Sequence, residues 1–203
     1  LKFSADGLLD AFSSEVTLPA ELPPNLPEIR SVEEGSQSVK LTWRAAEGAD
    51  CYGVYVSTVP MSYTTSAAIT IYTDYEVTGL KNGQTYYFVV TAINEGGESG
   101  YSNEVSAVPK TVPQPPENVY VVAGNRKVIV SFDEPTDNGG SPVIKYIVTS
   151  DPDNITAEGT KGPITVNGLK NGITYTFTVK AVNEVGESYE SLPSNSVIPR
   201  ASS

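Results

Sequence analysis

The sequence predicts an all-β fold built as two β-sandwiches in tandem. Three observations predict it. The first is a repeated corner: Gly79-Leu80-Lys81-Asn82-Gly83-Gln84-Thr85-Tyr86 recurs as Gly168-Leu169-Lys170-Asn171-Gly172-Ile173-Thr174-Tyr175. A Leu, a Gly-containing turn and a Tyr that opens an alternating strand mark the corner of a sandwich. The second is period-two alternation, as in Val39, Leu41 and Trp43 against Lys40 and Thr42, where alternate side chains fall on opposite faces of a strand. The third is a composition rich in Thr, Val, Tyr and Gly, which suits strands and turns.

Taken in order, residues 1–24 form an N-terminal arm or the tail of a preceding domain. Leu8, Leu9 and Phe12 have helical spacing and Asp6 is placed to cap such a turn, residues 13–18 read instead as a strand, and a disordered tag is the equal alternative to an arm. The first module spans residues 25–109. In it, Tyr52, Val54 and Val56 form one row of a strand, and Tyr86, Phe88, Val90 and Ala92 form the inward row of another. Residues 110–116 are a linker; counted from Pro109, four prolines fall in eight positions, so it is a semi-rigid spacer. The second module spans residues 117–200 and repeats the first. Phe132 matches Trp43 at an offset of 89 (132 − 43), Tyr146 matches Tyr52 at 94, and Tyr175 matches Tyr86 at 89 again. Module two therefore gains five residues within 133–142, and module one gains five within 58–73. Length changes fall in loops while core positions keep their pattern.

These residues resemble the fibronectin type III family. The resemblance rests on the Pro23-Pro24 and Pro115-Pro116 entries, the aromatics Trp43 and Phe132, and the Leu80 to Tyr86 and Leu169 to Tyr175 corners. The Ala-x-Asn-x-x-Gly-Glu-Ser segments at 92–99 and 181–188, and the Ser-Asn-x-Val segments at 102–105 and 194–197, add to it. It covers residues 24–199 and implies two seven-stranded immunoglobulin-like sandwiches without a disulfide, most like members from secreted bacterial or phage proteins. Phe132 stands where the family usually has Trp, a tolerable change at an apolar site. Trp43, Leu80, Tyr86, Phe132, Leu169 and Tyr175 are the expected core and corner residues.

Charge and composition exclude several functions. The chain is 39% hydrophobic and 18% charged, with a net charge of −11. Through Pro109 there are 5 basic and 14 acidic residues, and after it 8 and 10, hence −9 and −2. Nucleic acid and anionic lipid are poor partners for such a chain, because phosphate binding needs clustered Lys and Arg. With one Cys, Cys51, and no His there is no internal disulfide, no zinc set and no Ser–His or Cys–His pair. No run of about 18 apolar residues is present for a membrane-spanning helix. The start at Leu1 and the absence of a signal-peptide pattern make the chain read as a piece of a longer protein.

Candidate sites are few. Neither loop before the last strand, 95–100 or 184–190, holds the Arg-Gly-Asp tripeptide known in the family, so integrin binding is not carried over. Carbohydrate binding is disfavoured, because the only Trp is assigned to the core. Asp133, Asp137 and Asn138, and Asp151, Asp153 and Asn154, crowd two loops, where these residue types are ordinary turn formers before they are calcium ligands. No cofactor or metal is expected. The informative asymmetry follows from the family, in which the third and sixth strands are neighbours. Module one then sets Cys51, Gly53 and Tyr55 beside Tyr87, Val89 and Thr91, where module two sets Lys145, Ile147 and Thr149 beside Thr176, Thr178 and Lys180. The first set is the more apolar, and Met61 and Tyr63 in the longer connection extend it. Cys51, Tyr55, Met61, Tyr63, Tyr87 and Val89 are therefore the expected partner-contact face.

The sequence thus predicts a non-catalytic spacer and interaction region of a larger extracellular or surface protein, such as those between domains of polysaccharide-degrading enzymes. The alternative is a structural subunit of a phage tail or surface filament, docking through the arm and the apolar face. The expected partners are proteins, and the expected location is extracellular, cell-surface or virion.

Overall fold

The computed structural model describes residues 21–64 and 66–201, and the regular structure of these residues is all strand. Residues 1–20, which carry the expected capped turn or strand of the arm, lie outside the described residues. Module one contains β1 (Glu28–Gly35), β2 (Ser38–Arg44), β3 (Cys51–Ser57), β4 (Ser66–Thr70), β5 (Asp74–Thr78), β6 (Tyr86–Asn94), β7 (Gly97–Glu98) and β8 (Val105–Ala107). One sheet has the order β1-β2-β5. The other has the order β4-β3-β6-β7, with β8 also paired to β6. Module two contains β9 (Glu117–Gly124), β10 (Lys127–Asp133), β11 (Lys145–Asp151), β12 (Thr156–Gly159), β13 (Ile164–Asn167) and β14 (Thr176–Val182), in sheets ordered β13-β10-β9 and β12-β11-β14.

Each core is the set of inward rows that alternation dictates. In module one Val39, Leu41 and Trp43 of β2 meet Tyr52 and Val54 of β3 and Phe88, Val90 and Ala92 of β6. Trp43 is 3% exposed and meets the Tyr52 ring edge-on, with centroids 5.5 Å apart. Its indole Nε1–H is buried without a hydrogen-bond partner among the described residues. In module two Phe132 takes this place, half-buried, with its ring 4.8 Å from that of Tyr146.

The corner works as the sequence predicts. The Lys81 N–H donates to the Tyr86 hydroxyl at 3.0 Å, and the Lys170 N–H to the Tyr175 hydroxyl at 3.2 Å. Tyr175 is fully buried, and Tyr86 is partly buried and packed against the core of module one. The Asn of each corner also reaches the first hairpin of its module. The carboxamide oxygens of Asn82 and Asn171 accept the N–H groups of Gln37 and Arg126, which pins each hairpin to its corner. Tyr86→Phe is expected to keep the fold and cost about 1 kcal/mol, read as a lowered melting temperature of module one.

The last strand departs from a plain β-ladder. In module two, among the described residues, only single bridges join it to β14 and the residue before it, at Val182 with Glu187 and at Tyr175 with Val197. Between them every third residue is a buried serine. Ser188, Ser191 and Ser194 donate their backbone N–H groups to the carbonyls of Ala181, Val179 and Phe177 at 2.8–3.0 Å. Their hydroxyl oxygens accept the N–H groups of those same three residues at 2.9–3.0 Å. A side chain thus supplies the acceptor that a strand backbone would have supplied. Module one does this with Ser99 and Ser102 and then changes to backbone pairing at β8. Next in line, Asn103 brackets Ile29 through both its N–H and its carbonyl, and Asn195 accepts the Val121 N–H, which ties β1 and β9 to the opposite sheet.

Candidate interaction faces

The five extra residues of each module build different things. In module two they lie in the loop 133–142, which reaches back to the linker and to module one. Gly139 accepts the Thr111 N–H through its carbonyl at 2.8 Å, and Asp137 accepts that of Gln114 at 2.9 Å. Asn183, at the end of the sixth strand, donates to the carbonyls of Thr111 and Asn138 and holds linker and loop together. On the other side the Gly83 N–H donates to the Pro109 carbonyl, and the Lys110 N–H to that of Gly35. Gly140, at φ +84, packs backbone to backbone against Asn82 and Gly83 of the first module's corner, so a Cβ at Gly140 has no room.

Lys110 is the charged centre of this junction. Its Nζ lies 2.9 Å from Glu184 of module two and 3.9 Å from Glu34 of module one. The Lys110 hydrogen bond holds the Glu184 carboxyl below its ordinary 4.5, and Glu184 raises Lys110 above its ordinary 10.5. The pair's contribution is therefore fully present between those two values. It is lost as pH falls through the folded value of Glu184, or rises through that of Lys110. The relative orientation of the modules, followed by residual dipolar couplings, is expected to hold at neutral pH and to loosen in acid, as Glu184 is protonated below its ordinary range. Both side chains are in water, so the effect is on orientation rather than on folding.

In module one the extra residues help to roof the outer face of the β3–β6 sheet. Tyr55, Tyr101 and Tyr63 form a chain of rings with centroids 5.3 and 5.4 Å apart. Glu98 accepts the Tyr55 hydroxyl at 2.7 Å and the Thr91 hydroxyl at 2.6 Å. Glu104 accepts the Tyr63 hydroxyl at 2.6 Å and the Met61 N–H at 2.7 Å. Gly53 is needed beneath: a Cβ there meets Thr91 Oγ1 at 2.7 Å and the Tyr55 ring at 3.2 Å. Burial, then the bond to Glu98, pushes the Tyr55 phenol up to about 12, and the same causes raise Tyr63 through Glu104. These phenols stay protonated at neutral pH, and each carboxylate already holds two donors. The arrangement is a packed surface rather than a nucleophile–base pair.

Of the expected contact face, Val89 is 2% exposed and covered by the chain itself. It borders a cavity of about 280 Å³ with Met61, Tyr63, Tyr101, Ser102 and Glu104. Cys51, Tyr55, Tyr63 and Tyr87 are half-buried, and Met61 is exposed. Sequence reasoning missed Tyr101, Glu98 and Glu104, and it missed Ile69, Ile71 and Tyr72, which lie exposed at the edge of this sheet. A larger groove, about 750 Å³ between Pro115, Pro116, Leu192 and Pro193, lies at the entry of module two, away from both faces.

Module two keeps a charged surface where module one has tyrosines. There Lys145 pairs with Glu158, and Lys180 with Glu187. The acidic loops are occupied by turn bonds: Asp137 accepts the Gly139 N–H, Asn138 that of Gly140, and Asp153 the Tyr175 hydroxyl. Among the described residues no group of three or more His, Cys, Asp or Glu is placed to hold a metal, and no helix is long and apolar enough to cross a membrane. Residues 21–24, assigned to the arm by sequence, are part of module one: Asn94 donates to the Glu21 carboxylate and to the Leu22 carbonyl, as Asn183 does to Thr111.

A family model described as fibronectin type III domain matches residues 22–108 and 114–197. A Kelch domain-containing protein of Saccharolobus solfataricus is 34% identical over 169 residues, which cover 82% of this chain and 23% of that protein. An amylopullulanase of Thermoanaerobacterium thermosulfurigenes is 32% identical over 117 residues, 57% of this chain and 6% of that protein. A solved structure of titin domains is alike in fold, with a TM-score of 0.54 at 20% identity over 88% of this chain and 67% of that one. The chain spans about a quarter of the length of the curated relatives that it matches over most of its own length.

Proposed function

The chain belongs to the fibronectin type III family, and from that premise we propose that it is a non-catalytic spacer and interaction region within a larger extracellular protein. The junction carries this reading. A flexible tether would leave the linker backbone to water. Here Pro109, Lys110, Thr111 and Gln114 are each hydrogen-bonded to a module, and Lys110 is shared by both. Two sandwiches joined in this way hold whatever flanks them at a set distance and angle. The likeness to part of an amylopullulanase supports a place among the domains of a polysaccharide-degrading enzyme.

Distance measurement between spin labels tests it. The labels go on Leu22→Cys and Ile198→Cys, both at exposed positions, in a Cys51→Ser background. A single narrow distance distribution is expected, and Gly140→Ala should broaden it while both modules stay folded. A broad distribution with the junction unaltered would sink the spacer reading.

A further inference from the structure

We propose that the exit face of module two, built around Gly172 and Arg200, is a second junction site, and that its partner is a further sandwich of module two's kind following it in the chain. The face duplicates the one that module one already uses. In module one the Gly83 N–H donates to the Pro109 carbonyl, the Lys110 N–H donates to the Gly35 carbonyl, and Asn82 accepts the Gln37 N–H. In module two the Gly172 N–H donates to the Pro199 carbonyl at 3.0 Å, the Arg200 N–H donates to the Gly124 carbonyl at 3.1 Å, and Asn171 accepts the Arg126 N–H at 2.9 Å. Gly83 and Gly172 share a left-handed backbone, at φ +78 and +86. The two platforms differ in what lies on them. The Gly140 Cα lies 3.0 Å from where a Cβ of Gly83 would be, whereas among the described residues nothing lies within 4 Å of the same point at Gly172.

Two features select the occupant. The platform at Gly83 is filled by backbone, so it takes a loop whose tip carries no side chain. Module two supplies that tip with Gly139 and Gly140, within its five extra residues, and the shorter loop of module one does not. Charge is the second feature. Arg200 stands in the place of Lys110, held by the same backbone bond. Lys110 lies between Glu184 of the next module and Glu34 of its own. Module two has Ala123 in the place of Glu34, at an offset of 89 (123 − 34), and among the described residues Arg200 belongs to no ion pair. A carboxylate placed as Glu184 is in module two would complete it. The N-terminal end of the chain is remote from this face. Asn94, which holds Glu21 and Leu22, ends β6, and Gly83 precedes that strand. Asn183, which holds the linker, lies just past the end of β14, and Gly172 precedes that strand. The proposal rests on the spacer reading and extends it, since a run of modules each seated on the last keeps one geometry over a longer span.

The test extends the full chain at Arg200 by a second copy of residues 111–200, so that the new linker repeats the old one with Arg200 in the place of Lys110. Spin labels go on Leu192→Cys of the resident module two and on Ile198→Cys of the added copy, both at exposed positions, in a Cys51→Ser background. A single narrow distance distribution is expected, because linkage in one chain makes even a weak docking complete. Arg200→Glu should broaden it, and Glu184→Arg in the added copy should then narrow it again, which a loss of folding would not do. Gly140→Ala in the added copy alone should broaden it too. A broad distribution in the unaltered extension overturns the proposal, as does a narrow one indifferent to both Arg200→Glu and Gly140→Ala. A distribution that narrows only after removal of residues 1–20 also overturns it, and assigns the face to the arm. The Leu22 and Ile198 labels across the first junction judge the spacer reading separately: a narrow distribution there with a broad one here defeats this proposal alone.

Discussion

Trp43→Ala is expected to destabilise module one by about 3–5 kcal/mol, a large part of the ~5–15 kcal/mol that holds a typical domain together. The side chain bridges the two sheets, touches Tyr52 edge-on and is almost wholly buried, so its removal opens a void that the closed strand rows cannot collapse to fill. Urea unfolding followed by tyrosine fluorescence and circular dichroism should show the two modules separating into two transitions, with only the first displaced. Trp43→Phe is the informative companion. It leaves a smaller void and removes an indole N–H that has no partner, so it should cost much less than the alanine variant. Phe132 in the second module shows that the position accepts phenylalanine. Equal losses in Trp43→Phe and Trp43→Ala would mean that the indole's packing is not what holds the sheets together.

Why the cores were readable and the faces less so is a matter of which force decides each. Alternation in β2, β3 and β6 is dictated by burial on one side, and a one-residue slip would turn every core side chain outward, so Val39, Leu41 and Trp43 announce themselves. The corner was readable because its Tyr, Gly and Leu are held by local geometry. The serine spacing in 188–194 was visible as letters, but its meaning depends on which strand lies alongside, and that is a tertiary fact. The outer face of module one was misjudged at Val89 for a related reason. Alternation places Val89 outward, but Tyr101 and the 58–64 connection lie across it, and no local pattern says that a loop will fold back over a strand. The five-residue length differences were located by offset alone. Their uses, a junction in one module and a tyrosine roof in the other, appear only when the loops meet distant partners such as Gly83 and Glu104. Two copies of one scaffold thus diverge where length changed, and both candidate faces lie there.

Ser191→Ala is expected to cost module two about 1–3 kcal/mol, and the triple change of Ser188, Ser191 and Ser194 to alanine most of its stability. The usual rule that a surface-loop serine is dispensable does not apply here. Each hydroxyl accepts a β14 N–H and donates to the carbonyl of the following residue, at 2.7–2.9 Å, so both ends of the oxygen are used. Alanine keeps the backbone N–H to carbonyl half of each link and removes the other half. The amides of Phe177, Val179 and Ala181 are then left inside the protein with no acceptor, and a buried unpaired amide costs more than the lost bond was worth. Hydrogen exchange separates this from general weakening. In Ser191→Ala the Val179 amide should lose protection first and most, while Val148 on the neighbouring β11 falls only with global stability. Uniform loss across β14 and β11 would show that the hydroxyl ladder does not hold the last strand, and that the bridges at Val197 and Glu187 suffice.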